Sequence, residues 1–435
     1  MLAHHYTRSG DDDKALAYLE LAHGKASRDY ALAEAKGFFE EAMRILDRAP
    51  DTPEHRTQRI RFLADEFTVH FLLFEVPAFV ELATRYQEVA DSIDDLGLRG
   101  LFYERLGHCQ WILGRLVESL ETTLRAVEMC EAGGNTSGAG QAYTNLESVH
   151  VGLGNFAEVE GWEQKALRVF EQDFDPFHYM IARGMSAWAH ILRGAWSAAI
   201  EECKEGMRAG QEHDDPGLIS FSAFFLCMAY TGEGRYEEAQ ANGELAVQKA
   251  PTLAETVWSK TFLAAAWCRM GQAERAIETL EALVPLYDAT QMAIGQHFYG
   301  CLLGEAYCRT GRLKEAAEML EGAIEHTERT GWQYYRGLAL RLRAEVARKA
   351  DPTEPGRLRA SAYFDQAIGV LSEIGAENEL ALAQAGYARL CRESGYNDMA
   401  RGYYRTALET LERLGSLAEP PVIRKALAEL DEVAS

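Results

Sequence analysis

Residues 298–323 have the sequence FYGCLLGEAYCRTGRLKEAAEMLEGA, in which small and large side chains alternate around a central glycine. Gly304 lies seven residues before Gly311, Ala316 and Ala323 lie five and twelve after it, and Tyr307 lies four before it. Where two antiparallel helices cross closely, a large side chain fills the space that small ones leave. Because glycine also favours a turn, the segment predicts a helical hairpin that bends at Gly311.

The same pattern recurs along the chain at intervals of about forty residues. The glycines that separate two apolar-periodic segments are spaced by 40, 40, 40, 37, 40 and 84 residues: Gly114, Gly154, Gly194, Gly234, Gly271, Gly311 and Gly395. Gly107, Ala400 and Ala407 keep phase with them as further small residues. A fixed period of this size is typical of a solenoid, in which each unit buries its apolar face only against its neighbours. We therefore expect an all-α solenoid of antiparallel helix pairs.

The spacing of small and large residues resembles the tetratricopeptide repeat over nearly the whole chain. A second good copy runs from Cys227 through Tyr230 to Pro251, a proline placed to end the second helix. The resemblance implies a right-handed superhelix, although tetratricopeptide units usually repeat at about 34 residues. The period alone would also allow a HEAT or armadillo array, but the spacing of small and large residues argues against that alternative.

We expect residues 1–435 to form one continuous solenoid with local irregularities. Residues 1–50 contain irregular repeats, and residues 54–94 form a degenerate repeat. Residues 97–417 hold the regular repeats, and residues 418–435 would form a capping helix, since a terminal repeat must shield an open apolar face. Residues 1–9 have the pattern of a helix end without its beginning, which suggests the downstream part of a longer protein.

The N-terminal residues 2–35 carry a second resemblance. They are similar to the junction at which tetratricopeptide regions begin downstream of the ATPase module in bacterial multidomain signalling proteins, some of which include a nucleotidyl cyclase. The resemblance implies a sensor or regulatory arm. The sequence itself indicates no enzyme, because no acid, base and nucleophile are grouped. In the GGNTSG motif at 133–138, Ala139 and Gly140 stand where a phosphate-binding loop needs Lys and Ser or Thr.

Composition and charge narrow the classes of partner. The 44 basic and 67 acidic residues give a net charge of −23, which disfavours binding to a nucleic-acid backbone. A bilayer span needs about 18 consecutive apolar residues, and neither such a run nor a signal peptide is evident, so we expect a cytoplasmic protein without a membrane partner. The eight cysteines include no CxxC pair and are expected to be small buried hydrophobes, with no metal and no cofactor.

One local segment departs from the acidic average. Seven cationic residues lie between positions 336 and 359: Arg336, Arg341, Arg343, Arg348, Lys349, Arg357 and Arg359. We interpret them as a solvated helix face followed by a basic loop, and the alternative is a docking site for an acidic partner.

In the tetratricopeptide family, the first helix of each unit lines the concave face, and this register selects candidate partner-binding residues. The selected residues are aromatic in the middle of the groove and include arginines near helix ends: Trp111, Trp188, Phe221, Phe224, Met228, Trp258, Arg269, Phe298 and Arg309. Such a wall would suit a peptide with apolar anchors and a carboxylate. In the alternative, longer helices tighten the superhelix and these side chains pack between units.

Two functions therefore remain open from the sequence. In the first, the chain is a scaffold that binds a peptide or partner domain on its concave face, as the sensor arm of a larger bacterial signalling protein. In the second, it is a regulatory region that acts only intramolecularly on an upstream ATPase or cyclase module.

The charge gives a first prediction. We expect no measurable affinity of the chain for duplex DNA at physiological salt, because non-specific binding arises almost wholly from the release of phosphate counterions by clustered cations. Fluorescence anisotropy of a labelled duplex checks this. Salt-sensitive micromolar binding would contradict the prediction and would implicate residues 336–359.

Overall fold

A computed structural model describes residues 11–290 and 293–434. This part of the chain is 86% helical, with 21 helices and no strands. The expectation for residues 1–9 lies outside the described residues. The helices are, in chain order, α1 Asp12–Arg28, α2 Leu32–Arg48, α3 Pro53–Leu72, α4 Val76–Ser92, α5 Leu96–Ile112, α6 Leu116–Ala132, α7 Thr136–Leu153, α8 Phe156–Phe170, α9 Pro176–Arg193, α10 Trp196–Glu212, α11 Pro216–Glu233, α12 Tyr236–Lys249, α13 Leu253–Arg269, α14 Ala273–Thr290, α15 Ala293–Thr310, α16 Leu313–Thr330, α17 Gln333–Ala350, α18 Glu354–Glu373, α19 Glu377–Glu393, α20 Asn397–Leu414 and α21 Pro420–Ala434.

Side-chain caps fix where many of the odd-numbered helices begin. The side chains of Asp95, Asn135, Asp175 and Asp215 each accept a hydrogen bond from the backbone N–H three residues on, at 2.8–3.1 Å. Such a cap satisfies one of the amide groups that the first turn of a helix leaves unpaired. Glycine fixes several of the opposite ends: Gly154 has a φ of +78°, in the left-handed region that other residues seldom adopt.

The helices pair as antiparallel hairpins and form a right-handed superhelix. Each helix packs against the next in the chain, and the odd-numbered helices from α1 to α19 also contact one another in sequence. These odd-numbered helices therefore form the inner layer, and we call them the inner helices. The even-numbered helices form the outer layer.

The superhelix is wound so tightly that its first turn, which ends with α12, touches its second turn, which begins with α13. The inner helices α5, α7 and α9 contact α15, α17 and α19, which lie five hairpins further along the chain. The backbone N–H of Leu417 donates to the carbonyl of Glu233 at 2.8 Å. Trp196 Nε1 donates to Ser416 Oγ at 3.2 Å, across 220 residues of sequence. The expectation that each unit packs only against its neighbours is therefore wrong, because successive turns stack without a gap.

The repeat glycines differ according to the turn in which they lie. A Cβ at Gly154 would lie 2.6 Å from Cγ2 of Ile374, and one at Gly194 would lie 2.9 Å from Cβ of Asn378. A Cβ at Gly271, Gly311 or Gly395 would meet nothing within 4 Å. The glycines that end the first-turn helices are therefore covered by the second turn, whereas those of the second turn face open space.

The other small repeat residues lie between the two helices of a hairpin. A Cβ at Gly304 would lie 2.6 Å from Cγ of Leu320, and one at Gly107 would overlap the hydroxyl of Thr123. Four alanines at these positions are between 0% and 4% exposed: Ala316, Ala323, Ala400 and Ala407. Tyr307 is buried apart from its hydroxyl group, which donates to Glu281 Oε1 at 2.7 Å.

The stacking of turns gives a second prediction, which uses a matched pair of glycines. Gly154→Ala and Gly395→Ala introduce the same left-handed strain, because φ is +78° and +82°. We expect Gly154→Ala to cost about 1–3 kcal/mol more in the free energy of unfolding, since only its methyl group overlaps a neighbour. Urea denaturation measures the difference. Gly271→Ala should behave like Gly395→Ala, and equal losses at all three positions would contradict a packed contact between turns.

Candidate functional site

The residues expected on the concave face converge on the superhelical axis, where most of them are buried. Trp111 and Trp188 are 4% and 3% exposed, and Phe221, Phe224 and Phe298 are 5%, 5% and 4% exposed. Trp258 and Met228 are half-buried, and the side chains of Arg269 and Arg309 are 25% and 41% exposed. The sequence left open whether these aromatic side chains are exposed on the concave face or pack between units. The structure shows that they pack between units.

Contacts between aromatic rings across the superhelical axis explain why these side chains are buried. The ring centroid of Trp188 on α9 lies 5.3 Å from that of Phe298 on α15 and 5.7 Å from that of Trp332, which precedes α17. Phe71 on α3 lies 5.7 Å from Trp258 on α13. Aromatic rings attract one another at such distances. Because the helices that carry them belong to different hairpins, the rings hold the inner layer together.

A cavity remains between these rings, which we call the axial cavity. Its volume is about 50 Å³. Its wall is aromatic and aliphatic except for His108 and Ser148. The Ser148 hydroxyl is satisfied, since it donates to the carbonyl of Thr144 at 3.0 Å.

His108 is one of three buried side chains of the axial cavity that have unpaired polar atoms, and the other two are the indoles of Trp111 and Trp188. It is 1% exposed, and neither ring nitrogen has a hydrogen-bond partner. Burial lowers the pKa of His108 below its usual value, so the ring is neutral at pH 7. Nδ1 lies 3.7 Å from Oε1 of Glu104. Although burial opposes ionisation of Glu104, Arg105 and His108 lower the pKa of this carboxyl group.

A second pocket, which we call the arginine pocket, lies beside the axial cavity and shares Phe262 and Phe298 with it. Its wall combines apolar side chains with charged ones, and it includes Met228, Arg269 and Tyr334. Most of these side chains come from the second turn, where no further turn covers the groove.

Glu305 lines the arginine pocket and forms ion pairs with two arginines. Its Oε1 lies 2.8 Å from Nε of Arg269 and 2.9 Å from Nη2 of Arg309. Although burial opposes ionisation, these guanidinium groups lower the pKa of Glu305 to about 2. Arg341 pairs with Glu379 at 2.6 Å, and Nη2 of Arg341 is buried without a partner. Of these charged residues, Arg269, Glu305 and Glu379 line the pocket, and Arg309 and Arg341 adjoin it through their pairs with the two carboxylates.

The cationic residues between 336 and 359 are largely engaged within the chain. Arg343 pairs with Glu321 at 2.8 Å, Arg348 with Glu345 at 2.9 Å and Arg359 with Asp351 at 2.5 Å. These pairs argue against a docking site for an acidic partner. The expectation of a solvated helix face followed by a basic loop is also wrong in part, because Arg341 is 8% exposed and Arg357 and Arg359 lie on α18.

Other sites were sought within residues 11–290 and 293–434. In this part of the chain no group of three or more His, Cys, Asp or Glu side chains is placed to hold a metal ion. Within the same residues, no helix is long and apolar enough to cross a membrane. All eight cysteines are buried free thiols.

Comparison with known proteins identifies the fold. No protein-family model matches the sequence, and no curated protein matches it either. The Rap protein complexed with Competence and Sporulation Factor matches with a TM-score of 0.53 and 12% identity, over 95% of this chain and 99% of that one. The apo form of the quorum sensor NprR from B. thuringiensis matches with a TM-score of 0.51 and 13% identity, over 82% and 99%. A chain of the APC/C hetero-tetramer Cut9–Hcn1 gives 0.50 and 12%, over 95% and 88%. The fold is a tetratricopeptide-type helical solenoid. At these identities the likeness concerns the fold alone.

The repeat register missed several residues of this site. Phe71 lies in the degenerate repeat at 54–94, which has no glycine in phase, and Trp332 precedes its helix and so falls outside the register. Phe262 lies on α13 at a position that the concave register skips. A signal for the inner helices was nevertheless present in the capping residues Asp95, Asn135, Asp175 and Asp215, which follow one another at intervals of 40 residues.

A separate group of buried carboxyl groups lies between α7 and α10. Both carboxyl oxygens of Glu147 are buried without a partner. Glu163 accepts a hydrogen bond from Ser186 at 2.8 Å, and Glu202 pairs with Arg183 at 2.6 Å. Burial, followed by the charge of Glu202, raises the pKa of Glu163 to about 8. Burial also raises the pKa of Glu147 well above its usual value.

These shifts give a third prediction, on pH dependence. Between the ordinary glutamate pKa of about 4.3 and the folded-state value of about 8 for Glu163, the folded chain binds more protons than the unfolded chain. Stability should therefore fall as pH rises through this window. We expect Glu163→Gln to reduce the slope and to raise the melting temperature at pH 9. Glu160→Gln, at an exposed position of the same helix, should leave both unchanged. A wild-type melting temperature that does not fall across this window would contradict the assignment.

Proposed function

We propose that the chain is a non-catalytic scaffold that binds a peptide, or a segment of a partner protein, in the arginine pocket. The observation that carries the proposal is the combination of half-buried Met228 and Tyr334 with Arg269 in the pocket and Arg309 beside it, both paired with Glu305. Aromatic residues and arginine supply most of the binding energy in protein interfaces, particularly where a pocket desolvates them.

The charge arrangement indicates which ligand group the pocket would favour. Arg309 is held by Glu305 through Nε and Nη2, at 3.0 and 2.9 Å, and its side chain is 41% exposed. A ligand carboxylate could therefore contact Arg309 without displacing Glu305. Hydrogen bonds between ionised groups are stronger than neutral ones, so a carboxylate beside an apolar anchor is the expected recognition element.

The fold comparison supports a binding role. Two of the matching structures are complexes, of Rap with Competence and Sporulation Factor and of Cut9 with Hcn1, and the third protein is a quorum sensor. A superhelix of this type presents a long concave surface built from equivalent positions, which suits an extended ligand.

We further propose that the scaffold is the regulatory arm of a larger bacterial signalling protein in the cytoplasm. The support is the resemblance of residues 2–35 to the junction that follows signalling ATPase modules. The alternative is an arm that acts only intramolecularly, on an upstream ATPase or cyclase. Binding of a separate peptide by the isolated chain would favour the first function.

A fourth prediction tests the proposed site. Selection of random peptides with free C-terminal carboxylates on the immobilised chain should enrich sequences with an apolar anchor close to an acidic end. We expect Arg309→Ala to weaken the binding of an enriched peptide by about tenfold, since hydrogen bonds to charged groups contribute about 1.5–3 kcal/mol. Fluorescence anisotropy of the labelled peptide measures this.

A matched control is available three residues further on. Arg312 is similarly exposed and is held by Glu281 and Glu315, which do not line the arginine pocket. Arg312→Ala should bind the peptide like the wild-type chain. Failure to enrich any peptide, or equal losses for Arg309→Ala and Arg312→Ala, would contradict the proposed site.

A further inference from the structure

We propose that the axial cavity binds a small uncharged aromatic molecule that carries one hydroxyl group, with His108 accepting its hydrogen bond. This site is distinct from the arginine pocket and needs no peptide. It is defined by a partly open ring of aromatic side chains and by a buried imidazole whose hydrogen-bonding capacity the chain leaves unused.

The imidazole is the observation that indicates a ligand. Buried polar groups in folded proteins are nearly always hydrogen-bonded, and each exception needs an explanation. His108 is 1% exposed, is packed between Phe67 at 5.0 Å and Trp111 at 5.5 Å, and has no partner at either nitrogen. A ligand in the cavity that His108 lines would satisfy it.

The neighbouring carboxylate determines which kind of partner is missing. An ionised carboxylate only accepts hydrogen bonds, and Oε1 of Glu104 lies 3.7 Å from Nδ1 of His108. This proximity favours the tautomer with its proton on Nδ1. Nε2 is then an unoccupied acceptor on the other edge of the ring, and Glu104 does not line the axial cavity. For His108 the missing partner is therefore a donor. The indole N–H groups of Trp111 and Trp188 need an acceptor, and a hydroxyl group can serve as both.

The walls of the cavity determine the rest of the ligand. No Asp, Glu, Lys or Arg side chain lines the cavity, so a charged ligand would lose its hydration without compensation. The faces and edges of Phe71, Trp188 and Phe298 offer an aromatic ligand the offset and edge-on contacts that rings prefer. The cavity volume of about 50 Å³ exceeds the roughly 10–15 Å³ that one water needs. An apolar cavity that binds benzene measures about 150 Å³, so a single ring enters only as the surrounding side chains shift.

Access to the cavity is provided by the arginine pocket. The two share Phe262 and Phe298, and the arginine pocket opens onto the concave groove. Rotation of these two side chains would admit a single ring, and larger molecules would be excluded.

The test compares phenol with toluene, which has the same shape but lacks the donor. Isothermal titration of the full chain should show saturable binding of phenol, at least tenfold tighter than that of toluene. In His108→Leu most of the preference for phenol should be lost, and only the indole N–H groups of Trp111 and Trp188 would still favour phenol over toluene. His297→Leu is the matched control, because His297 is also fully buried without partners at its nitrogens but does not line the axial cavity. It should retain the preference for phenol.

A second variant keeps the test decisive if His108→Leu does not fold. Met185 lines the axial cavity, and Met185→Phe should fill it and abolish phenol binding. The absence of phenol binding to the wild-type chain, equal affinities for phenol and toluene, or an unchanged preference in His108→Leu would overturn the proposal. So would phenol binding that survives in a folded Met185→Phe variant. None of these outcomes bears on peptide binding at Arg309, so the two proposals can fail separately.

Discussion

The backbone N–H of Leu417 donates to the carbonyl of Glu233, and around this bond the second superhelical turn is seated on the first. Gly154 and Gly194 lie at the same interface, where a methyl group would overlap the facing side chains. Because the turns stack without a gap, inner helices five hairpins apart come into contact. The axis then becomes narrow enough for Trp188 to reach both Phe298 and Trp332. The contact between the two turns therefore determines the burial of the aromatic side chains, the axial cavity and the position of the arginine pocket.

The burial of equivalent residues in the repeats shows where the stacking of turns stops. The residue two positions after the repeat glycine is large and buried in the first turn, as Leu116, Phe156 and Trp196 are. At the corresponding second-turn positions, Ala273, Leu313 and Asn397 are only half-buried. These positions are covered by the second turn where they lie on the first, and they stay partly exposed on the second turn. Its concave surface stays accessible, and the arginine pocket lies there.

Much of the fold was predictable because it depends on local spacing. The glycines and small residues fix each helix crossing, so a hairpin bent at Gly311 could be inferred from residues 298–323 alone. The aromatic residues of the concave register could also be named. Whether their side chains face water or one another could not be predicted, because it depends on the superhelical pitch. That pitch is the sum of small rotations along many units, and the hydrogen bond from Trp196 to Ser416 spans 220 residues. The pairing of Glu305 with Arg269 was missed for the same reason, since it is a contact between hairpins.

Hydrogen exchange at the Leu417 amide tests the stacking of turns most directly. Leu417 lies outside any helix and is 55% exposed. If the turns were apart, its amide would exchange as fast as the amides of open loops. The bond to Glu233 predicts protection of this amide by orders of magnitude relative to Glu419 in the same non-helical segment. Exchange should slow to the rate of global or subglobal unfolding. Exchange at Leu417 as fast as at Glu419, in a chain whose helices remain protected, would contradict the account.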